Sequence, residues 1–454
     1  MDALQYVQEM IEKSRVAQKE FEQYTQEQVD ACVRAIGMAI YDNAVELAEM
    51  AVEETRMGVV EHKINKNRRK ALSTWNRLKN VKSVGVINYI DDKGLVEVAK
   101  PLGVVGAVTP TTNPIITPNN NAMLALKGRN SMVICPHPRA KKCGKRAVEY
   151  MNAALDKLGA PKNLIQIVEE PTVEISNLIM QNVDVCISTG GPGMVKAVYS
   201  SGKPAFGVGA GNVQCLIQRN ADFAKAAKTT IDGRAFDNGI LCTCEQCAHV
   251  PSDKFDEVIA AFEKEGAYYI SDAAEIAKLR EHTFPEGQLN RDCVGLSAQE
   301  VAKNAGVSIP KDARAIMVLL DKAGESEALC REKMFPILGV LKYDKWEEAV
   351  ANAVTNLNME GQGHSSVIHG SDKADIEYAA ERIPVSRIVI NQMGSTALGG
   401  AFNNGLEPTA TLGCGSWGNN SISENLNYKH MLNISRVAYE IPNTVVPSDE
   451  EIWG

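Results

Sequence analysis

The segment 236–249, FDNGILCTCEQCAH, contains three cysteines and one histidine in a CxCxxCxH pattern. A thiol that follows an Asn-Gly turn and a short apolar strand is typical of a nucleophile at the rim of a cleft, where nearby backbone amides favour the thiolate. The same four residue types can bind a metal, but structural zinc sites usually take ligand pairs from two separated knuckles, and the sequence has no second CxxC and no HxxxH. We therefore predict that Cys242 is a nucleophile and that no metal is bound. Cys244 and Cys247 are expected to be small buried residues.

Length and composition indicate a globular protein with more than one domain. The chain has 454 residues, 44% hydrophobic and 23% charged, which is too long for one hydrophobic core and ordinary in composition. A net charge of −8 without a basic stripe argues against nucleic acid as a partner. No apolar run reaches the length of a membrane span, and the first ten residues lack the basic flank of a signal peptide. Eleven scattered cysteines are typical of reduced thiols, so we expect a cytoplasmic protein that does not bind a membrane.

The spacing of apolar residues predicts helices first, and then strands that alternate with helices. Thr25 and Gln28 form a capping-box pattern before one helix, and a second helix is predicted from Asp42 to a glycine C-cap at Gly58. Short apolar runs predict strands at 104–108, 132–135, 164–168, 183–187, 315–320 and 387–391, with helices at 140–158, 253–265 and 345–356. This alternation predicts the α/β class, with two parallel-sheet domains that meet near residue 213. The runs 83–89 and 94–100 predict a two-stranded ribbon outside both sheets.

One glycine-rich turn lies where a nucleotide phosphate could bind. The segment 189–193, TGGPG, follows a predicted strand and opens a helix, so its N–H groups and the helix N-terminus could face a pyrophosphate. It lacks the GxGxxG spacing, and a plain strand-to-helix turn is the alternative.

Longer motifs follow one another along nearly the whole chain. They are KPLGVVGAVTPTTNP at 100–114, RNSMVICPHPRAKK at 129–142, ISTGGPG at 187–193, FGVGAGN at 206–212, FDNGILCTCEQ at 236–246, EKMFPIL at 332–338, EGQGHSS at 360–366, and FNNGLEPTATLGCGSWGNNSISENL at 402–426. In this order they resemble the aldehyde dehydrogenase superfamily, and within it the branch that acylates coenzyme A. The carboxyl-terminal part, down to EEIWG at 450–454, is most similar to acylating succinate semialdehyde dehydrogenases.

The resemblance implies a role for each matching residue. Cys242 matches the nucleophile that attacks the aldehyde carbon, and Asn113 matches the amide that stabilises the resulting oxyanion together with the Cys242 N–H. An Asn before Pro that serves only as a turn residue is the alternative. Glu332 matches the acid that binds the nicotinamide ribose, with a solvated helix charge as the alternative. The other residues implied in binding NADP or NAD are Thr111, Pro136, His137, Pro138, Arg139, Ser188, Thr189, Gly190, Gly193 and Phe335.

The sequence departs from the wider superfamily at one position. Hydrolytic members have a glutamate in an ELGGK motif that activates water, and Gly207 stands at the matching position here. The resemblance therefore implies that coenzyme A, a good thiol nucleophile, accepts the acyl group as a co-substrate. A carboxylate restored at position 207 should introduce some hydrolysis. His364 is a candidate to assist the coenzyme A thiol, with a buried, satisfied histidine as the alternative.

The resemblance leaves the aldehyde and the dinucleotide open. Succinate semialdehyde is the expected substrate, and Thr243, Ser395 and Thr396 are the expected polar contacts of its acidic end. Acetaldehyde, propanal, butanal and a sulfonated aldehyde are the alternatives. The basic residues at 139, 141 and 142 could hold the 2′-phosphate of NADP, but relatives that use NAD have such residues too. A different class of function is that of a non-catalytic member associated with a protein microcompartment. Some relatives are targeted there by an amphipathic amino-terminal extension, but the apolar stripe at residues 4, 7 and 11 resembles the family's ordinary first helix.

The resemblance also implies a division of the chain. We expect a cofactor-binding domain at 1–84 and 104–212, a catalytic domain at 213–415, and oligomerisation segments at 85–103 and 416–454. In the family, such segments pair between subunits, and unpaired strand edges favour this. We therefore expect a homodimer or a higher homo-oligomer.

Overall fold

The computed structural model describes residues 2–454, and the chain begins with four helices. These are α1 (Ala3–Phe21), α2 (Gln26–Asp42), α3 (Ala44–Thr55) and α4 (Val60–Leu78). The predicted capping box is confirmed, because Thr25 Oγ1 accepts from the Gln28 N–H and Gln28 Oε1 accepts from the Thr25 N–H. The prediction of Gly58 as a C-cap is wrong, since Arg56, with φ of 59°, caps α3. Gly58 is instead where the backbone passes Asp237, whose Oδ1 would lie 2.1 Å from an added Cβ.

The predicted ribbon is confirmed and leads into a five-stranded parallel sheet. The ribbon consists of β1 (Gly85–Ile90) and β2 (Leu95–Pro101), which pair in antiparallel fashion. The sheet contains β3 (Val104–Thr109), β4 (Ser131–Pro136), β5 (Ile165–Ile167), β6 (Val185–Thr189) and β7 (Ala205–Val208) in the order β5-β4-β3-β6-β7. The helices of this part are α5 (Ile116–Lys127), α6 (Lys141–Asp156), α7 (Val173–Asn182) and α8 (Pro192–Tyr199). Every residue of β3 and β4 is buried, as expected for strands covered on both faces.

A seven-stranded parallel sheet follows after a link of four residues, 209–212. It contains β8 (Val213–Ile217), β9 (Glu245–Pro251), β10 (Ala267–Ile270), β11 (Ala315–Leu319), β12 (Ile337–Tyr343), β13 (Ser366–His369) and β14 (Ile388–Ile390) in the order β10-β11-β12-β9-β8-β13-β14. Its helices are α9 (Phe223–Ala235), α10 (Phe255–Lys264), α11 (Ala273–Thr283), α12 (Ala298–Asn304), α13 (Trp346–Met359), α14 (Lys373–Arg382) and the single turn α15 (Gly394–Ala397). The α/β class is confirmed.

The chain ends with β15 (Leu432–Ala438) and α16 (Asp449–Trp453). β15 pairs with β2, which gives a three-stranded sheet of order β1-β2-β15 apart from both parallel sheets. The outer edge of β15 is open in the single chain. The division into domains stays a prediction. No helix within residues 2–454 is long and apolar enough to cross a membrane.

Candidate active site

Cys242 lies in a tight turn at the entrance to β9. The predicted apolar strand before it does not form, because Asp237 and Asn238 have φ of 52° and 54° and turn the chain sharply. The turn then closes with a hydrogen bond of 3.0 Å from the Cys244 N–H to the Leu241 carbonyl. In the part of the chain that the structure describes, no group accepts a hydrogen bond from the Cys242 N–H. That N–H is therefore free to donate to a ligand.

The Cys242 side chain opens into a cavity of about 580 Å³. The walls come from α4, the loop after β3, the turn before β9, α15 and the segment 399–412. The polar lining residues are Asn65, Lys66, Arg69, Lys70, Ser73, Asn113, Lys225, Thr229, Thr243, Asn391, Gln392, Ser395, Thr396, Asn403 and Thr409. Among the described residues of this lining, four are cationic and none is acidic. The cavity is therefore suited to a small ligand with a negative charge.

Asn113, the predicted oxyanion amide, lies in the loop after β3 and faces the same cavity as Cys242. Its Oδ1 accepts a hydrogen bond of 2.8 Å from Lys66 Nζ. Its Nδ2 has no hydrogen-bond partner within the described chain. Among the described residues, neither Asn113 Nδ2 nor the Cys242 N–H has a protein acceptor, so both donors are free for a ligand of this cavity.

The surroundings of the Cys242 thiol oppose its ionisation. Burial raises the pKa of Cys242 above its ordinary value, and the nearby Glu332 carboxyl raises it further, while Arg387 acts in the opposite direction. The expectation that backbone amides favour the thiolate stays a prediction, and burial opposes it. The reason is that desolvation of the charged sulfur outweighs the nearby positive charge.

The predicted dinucleotide-binding residues lie at the carboxyl edge of the five-stranded sheet. The chain order along this sheet reverses between β3 and β6, and ligands of open α/β sheets bind at such a switch point. Ser188 and Thr189 end β6, and their hydroxyl oxygens are buried without a hydrogen-bond partner, so they fit a polar ligand such as a pyrophosphate. Gly190 follows directly, and Gly193 lies in the first turn of α8. Thr111 and Pro136 lie at the same edge, where β3 and β4 end.

The residues expected to hold the adenosine ribose lie on the surface beside α6. His137, Pro138 and Arg139 are exposed, in a short turn after β4. Glu54 accepts hydrogen bonds of 2.8 Å from the backbone N–H groups of residues 142 and 143 at the start of α6. Lys141 pairs with Glu170 at 2.5 Å. Cations and a carboxylate therefore both lie at this surface, so its charge alone does not select NADP over NAD.

Glu332 lies where the two parallel sheets meet. Its Oε1 accepts a hydrogen bond of 3.1 Å from the Gly211 N–H, and its own N–H donates to Glu360 Oε2 at 2.8 Å. Burial and the neighbouring Glu360 raise the pKa of Glu332 to about 8. This carboxyl is thus protonated at neutral pH and can donate a hydrogen bond as well as accept one. It is not a solvated helix charge, because it lies in a loop.

His364 and Phe335 are placed differently from the expected site. His364 is fully buried, does not line the cavity, and has no hydrogen-bond partner for either ring nitrogen. Burial and the adjacent Arg387 lower the pKa of His364 to about 3, which makes it a weak base at neutral pH. The Phe335 ring is fully buried in the core, 6.2 Å from the Phe284 ring. Its side chain therefore belongs to the hydrophobic core and does not line the cavity.

The predicted polar contacts of the substrate do line the cavity. Thr243 Oγ1 donates to the Ser395 carbonyl at 3.2 Å, and the Ser395 hydroxyl is buried without a partner. Thr396 lies beside Ser395 in α15. Lys66 and Lys70, which lie on one face of α4, also line the cavity and were not predicted as site residues. Lysines at 63, 66 and 70 have helical spacing, but such a stripe read locally also indicates a solvated face, so the sequence carried no distinctive signal for them.

Position 207 is crowded. Gly207 lies in β7, and an added Cβ would lie 2.8 Å from Val198 Cγ1 and 2.9 Å from Tyr199 Cε2, so these two side chains would have to shift to admit a carboxylate. That a glutamate at this position introduces some hydrolysis stays a prediction.

The remaining members of the cysteine–histidine segment are structural. Cys244 and Cys247 are fully buried in two different hydrophobic clusters. His249 is buried in β9, and its Nε2 lies 3.0 Å from Gln214 Oε1. Residues 2–454 contain no group of three or more His, Cys, Asp or Glu side chains arranged to hold a metal ion.

Comparison with known proteins yields close matches over the whole length. The model of the aldehyde dehydrogenase family matches residues 3–272. An acetylating succinate-semialdehyde dehydrogenase of Clostridium kluyveri is 51% identical over 448 residues, which cover 99% of each chain. The crystal structure of an acetylating aldehyde dehydrogenase from Geobacillus thermoglucosidasius superposes with a TM-score of 0.94, at 38% identity and 98% coverage of each chain. A Rhodopseudomonas palustris propionaldehyde dehydrogenase, with bound CoA and an acylated cysteine, has a TM-score of 0.87 at 29% identity and covers 95% of this chain and 97% of its own.

Proposed function

This chain belongs to the aldehyde dehydrogenase family, and we propose that it oxidises succinate semialdehyde to its coenzyme A thioester. The reaction is aldehyde + CoA + NAD(P)⁺ ⇌ acyl-CoA + NAD(P)H + H⁺, with NADP or NAD as the dinucleotide. Conversion of succinate semialdehyde is the activity named for the Clostridium kluyveri relative, and bound CoA is named for the Rhodopseudomonas palustris structure.

The observation that carries this proposal is a lysine without an acidic partner in the cavity. Lys70 Nζ donates to the Gly399 carbonyl at 2.8 Å, and no carboxylate pairs with it among the described residues. Burial lowers the pKa of Lys70 to about 8, so it is still charged at neutral pH. A half-buried cation without a counter-ion is unfavourable, and the carboxylate of an acidic aldehyde would complete the pair.

The residues around the cavity fit the first chemical step. Cys242 releases its thiol proton, which is the H⁺ of the equation, Sγ attacks the aldehyde carbon, and the aldehyde oxygen becomes an oxyanion. Asn113 Nδ2 and the Cys242 N–H donate to this oxygen, and removal of one such donor typically costs about 3 kcal/mol of transition-state stabilisation. A dinucleotide held by Ser188, Thr189 and Glu332 would supply the acceptor for the hydride that leaves the carbon. Cys242 then holds the acyl group as a thioester.

The lining also favours a thiol over water as the acceptor. No acidic side chain is present among the described lining residues to activate water, and His364 is a weak base outside the lining. The coenzyme A thiol needs less activation, because a thiolate is a good nucleophile for thioester exchange. The thioester on Cys242 should therefore persist until coenzyme A arrives.

Withholding coenzyme A tests this order of events. Succinate semialdehyde and NAD(P)⁺ alone should give a burst of NAD(P)H of about one equivalent per active site. Almost no further NAD(P)H should then form until coenzyme A is added. Mass spectrometry should show the succinyl mass on the peptide that contains Cys242. Steady formation of succinate without coenzyme A, with Cys242 unmodified, would contradict the proposal.

Two other classes of aldehyde and one other class of function are the alternatives. A sulfonated aldehyde would also pair with Lys70, whereas acetaldehyde, propanal and butanal would leave its charge unpaired. The ratio of kcat/KM values for these aldehydes distinguishes them. A non-catalytic, microcompartment-associated role would not require Cys242 and Asn113 to share one cavity with free donors.

We also propose a homodimer built on the three-stranded sheet. β15 has an open edge, and exposed apolar side chains lie near its end at Val437 and beyond it at Tyr439 and Ile441. An open edge with exposed apolar residues favours pairing with another chain.

The eleven cysteines of the described chain are all unpaired, which supports a reducing compartment such as the cytoplasm.

A further inference from the structure

Lys66 connects two parts of the chain that are far apart in sequence. Its Nζ donates to Asp237 Oδ2 at 2.7 Å, to Asn113 Oδ1 at 2.8 Å and to the Thr112 carbonyl at 3.3 Å. The side chain is 7% exposed, so these contacts are shielded from solvent. All three donors of the ammonium group thus have protein acceptors. One of these acceptors lies in the turn that leads to Cys242, and two lie in the loop after β3.

The contact with Asn113 fixes the orientation of its carboxamide. An ammonium group has donors only, so the atom that faces Lys66 must be the amide oxygen and not the nitrogen. The Nδ2 group must therefore point the other way, where no described residue binds it. The positive charge also polarises the amide, which strengthens Nδ2 as a donor. Without Lys66, the carboxamide could rotate and present its oxygen to an oxyanion.

The contact with Asp237 fixes the turn before the nucleophile. Asp237 has φ of 52°, a conformation that non-glycine residues seldom adopt and that needs support from neighbouring groups. Asp237 Oδ2 also pairs with Lys63 at 2.9 Å, and its Oδ1 accepts from the Val59 N–H at 2.8 Å. Burial acts to raise the pKa of Asp237, but the two lysines outweigh it, and the carboxylate stays ionised.

We propose that Lys66 is a positioning residue that holds the two oxyanion donors, Asn113 Nδ2 and the Cys242 N–H, in one arrangement. It acts on Asn113 directly and on Cys242 through Asp237. The inference rests on the roles proposed above for Asn113 and Cys242. Lys66 also lines the cavity, and direct binding of an anionic substrate is the competing explanation that an experiment must separate.

The test measures the rate constant of the NAD(P)H burst without coenzyme A, for butanal and for succinate semialdehyde. Lys66→Gln should lower the burst rate about 10- to 100-fold for both aldehydes, because each needs the oxyanion donors. Lys66→Arg, which keeps the charge and the donors, should recover a large part of the rate. In an Asn113→Ala background the effect of Lys66→Gln should shrink to a few-fold, since the direct action on Asn113 is gone and only the action through Asp237 remains.

Lys63→Gln is the matched control, because it removes another buried partner of Asp237 that does not contact Asn113. Lys63→Gln should lower the unfolding temperature about as much as Lys66→Gln does, but it should change the burst rate much less. A full loss from Lys66→Gln in the Asn113→Ala background, or a loss confined to succinate semialdehyde, would overturn the proposal. If Asn113→Ala alone leaves the burst rate unchanged, the oxyanion role of Asn113 is wrong, and this inference falls with it. If Lys66→Gln does not fold, Lys66→Arg serves in both backgrounds, with a larger rate deficit expected when Asn113 is present than when it is absent.

Discussion

Gly211 lies so close to Cys242 that a Cβ atom on it would be 2.1 Å from the Cys242 carbonyl oxygen. The Gly211 N–H donates to Glu332 Oε1 on its other side. The four-residue link between the two parallel sheets therefore contacts both the Cys242 backbone and the Glu332 carboxyl, which is expected to bind the nicotinamide ribose. No residue with a side chain fits at position 211 unless the Cys242 turn moves.

Gly211→Ala is expected to displace Cys242 and to slow the chemistry while the fold is kept. A shift of about 1 Å at a reacting group typically costs about 100-fold in rate. The NAD(P)H burst measured by stopped flow should slow by about this factor. Gly209→Ala is the matched control, because its Cβ would meet only Val195 Cγ2, at an ordinary 3.7 Å. Equal rates in the two variants would show that the close approach is not needed for catalysis.

Cys242→Ser should abolish the NAD(P)H burst and leave dinucleotide binding intact. A serine hydroxyl ionises far less readily than a thiol, and the cavity offers no base to deprotonate it. Cys244→Ser, at a fully buried position two residues away, should keep most of the activity and lose some stability. Binding is followed by the change in NAD(P)H fluorescence. If Cys244→Ser is inactive and Cys242→Ser is active, the nucleophile is Cys244 and not Cys242.

Parts of this structure follow from local sequence alone. The Thr25 capping box, the ribbon strands and the buried strands of the parallel sheets formed as predicted, because each depends on residues near one another in the chain. The turn before Cys242 was not predicted, because a strand was expected there. The run Ile240-Leu241 has the character of a strand, but the left-handed conformation of Asp237 is imposed by α4, and the chain therefore turns.

The cationic side of the cavity was not predictable for a similar reason. Lys66 and Lys70 lie in a helix whose charged residues, read locally, indicate a solvated face. Lys66 contacts a residue 171 positions away and Lys70 contacts one 329 positions away. Only the tertiary fold makes these lysines part of the cavity. Resemblance supplied Asn113 and Cys242, but it gave no account of what orients them.

The chain is expected to sediment as a dimer or a larger assembly at micromolar concentration. Tyr439 is 64% exposed beside the open edge of β15, and a second chain would cover it. Tyr439→Asp together with Val437→Asp should weaken the assembly, because two charges would be placed in an apolar contact. Val173→Asp, on the exposed start of α7, is the control and should leave the assembly unchanged. A stable monomer of the parent chain would contradict the proposed interface.

Lys70→Met is expected to change substrate preference more than maximal rate. Loss of a charge-assisted hydrogen bond to the substrate carboxylate costs about 1.5–3 kcal/mol, which corresponds to a fall of about 10- to 100-fold in kcat/KM for succinate semialdehyde. Butanal, which has no carboxylate, should be used as well as before or better. Steady-state kinetics with both aldehydes check this. A parallel loss for both would place Lys70 outside substrate recognition.

The preference of the parent chain for the acidic aldehyde is expected to disappear as the pH rises through about 8, the pKa of Lys70. Burial lowers this pKa from its ordinary value, so the side chain is cationic below pH 8 and neutral above it. The attraction for a carboxylate is therefore present at low pH and is lost at high pH. Other groups near Cys242 also titrate, but they act on both aldehydes, so the ratio of kcat/KM for succinate semialdehyde to that for butanal isolates Lys70. This ratio should fall across pH 7 to 9 in the parent chain and stay flat in Lys70→Met. A ratio that does not vary with pH in the parent chain would contradict recognition of the carboxylate by Lys70.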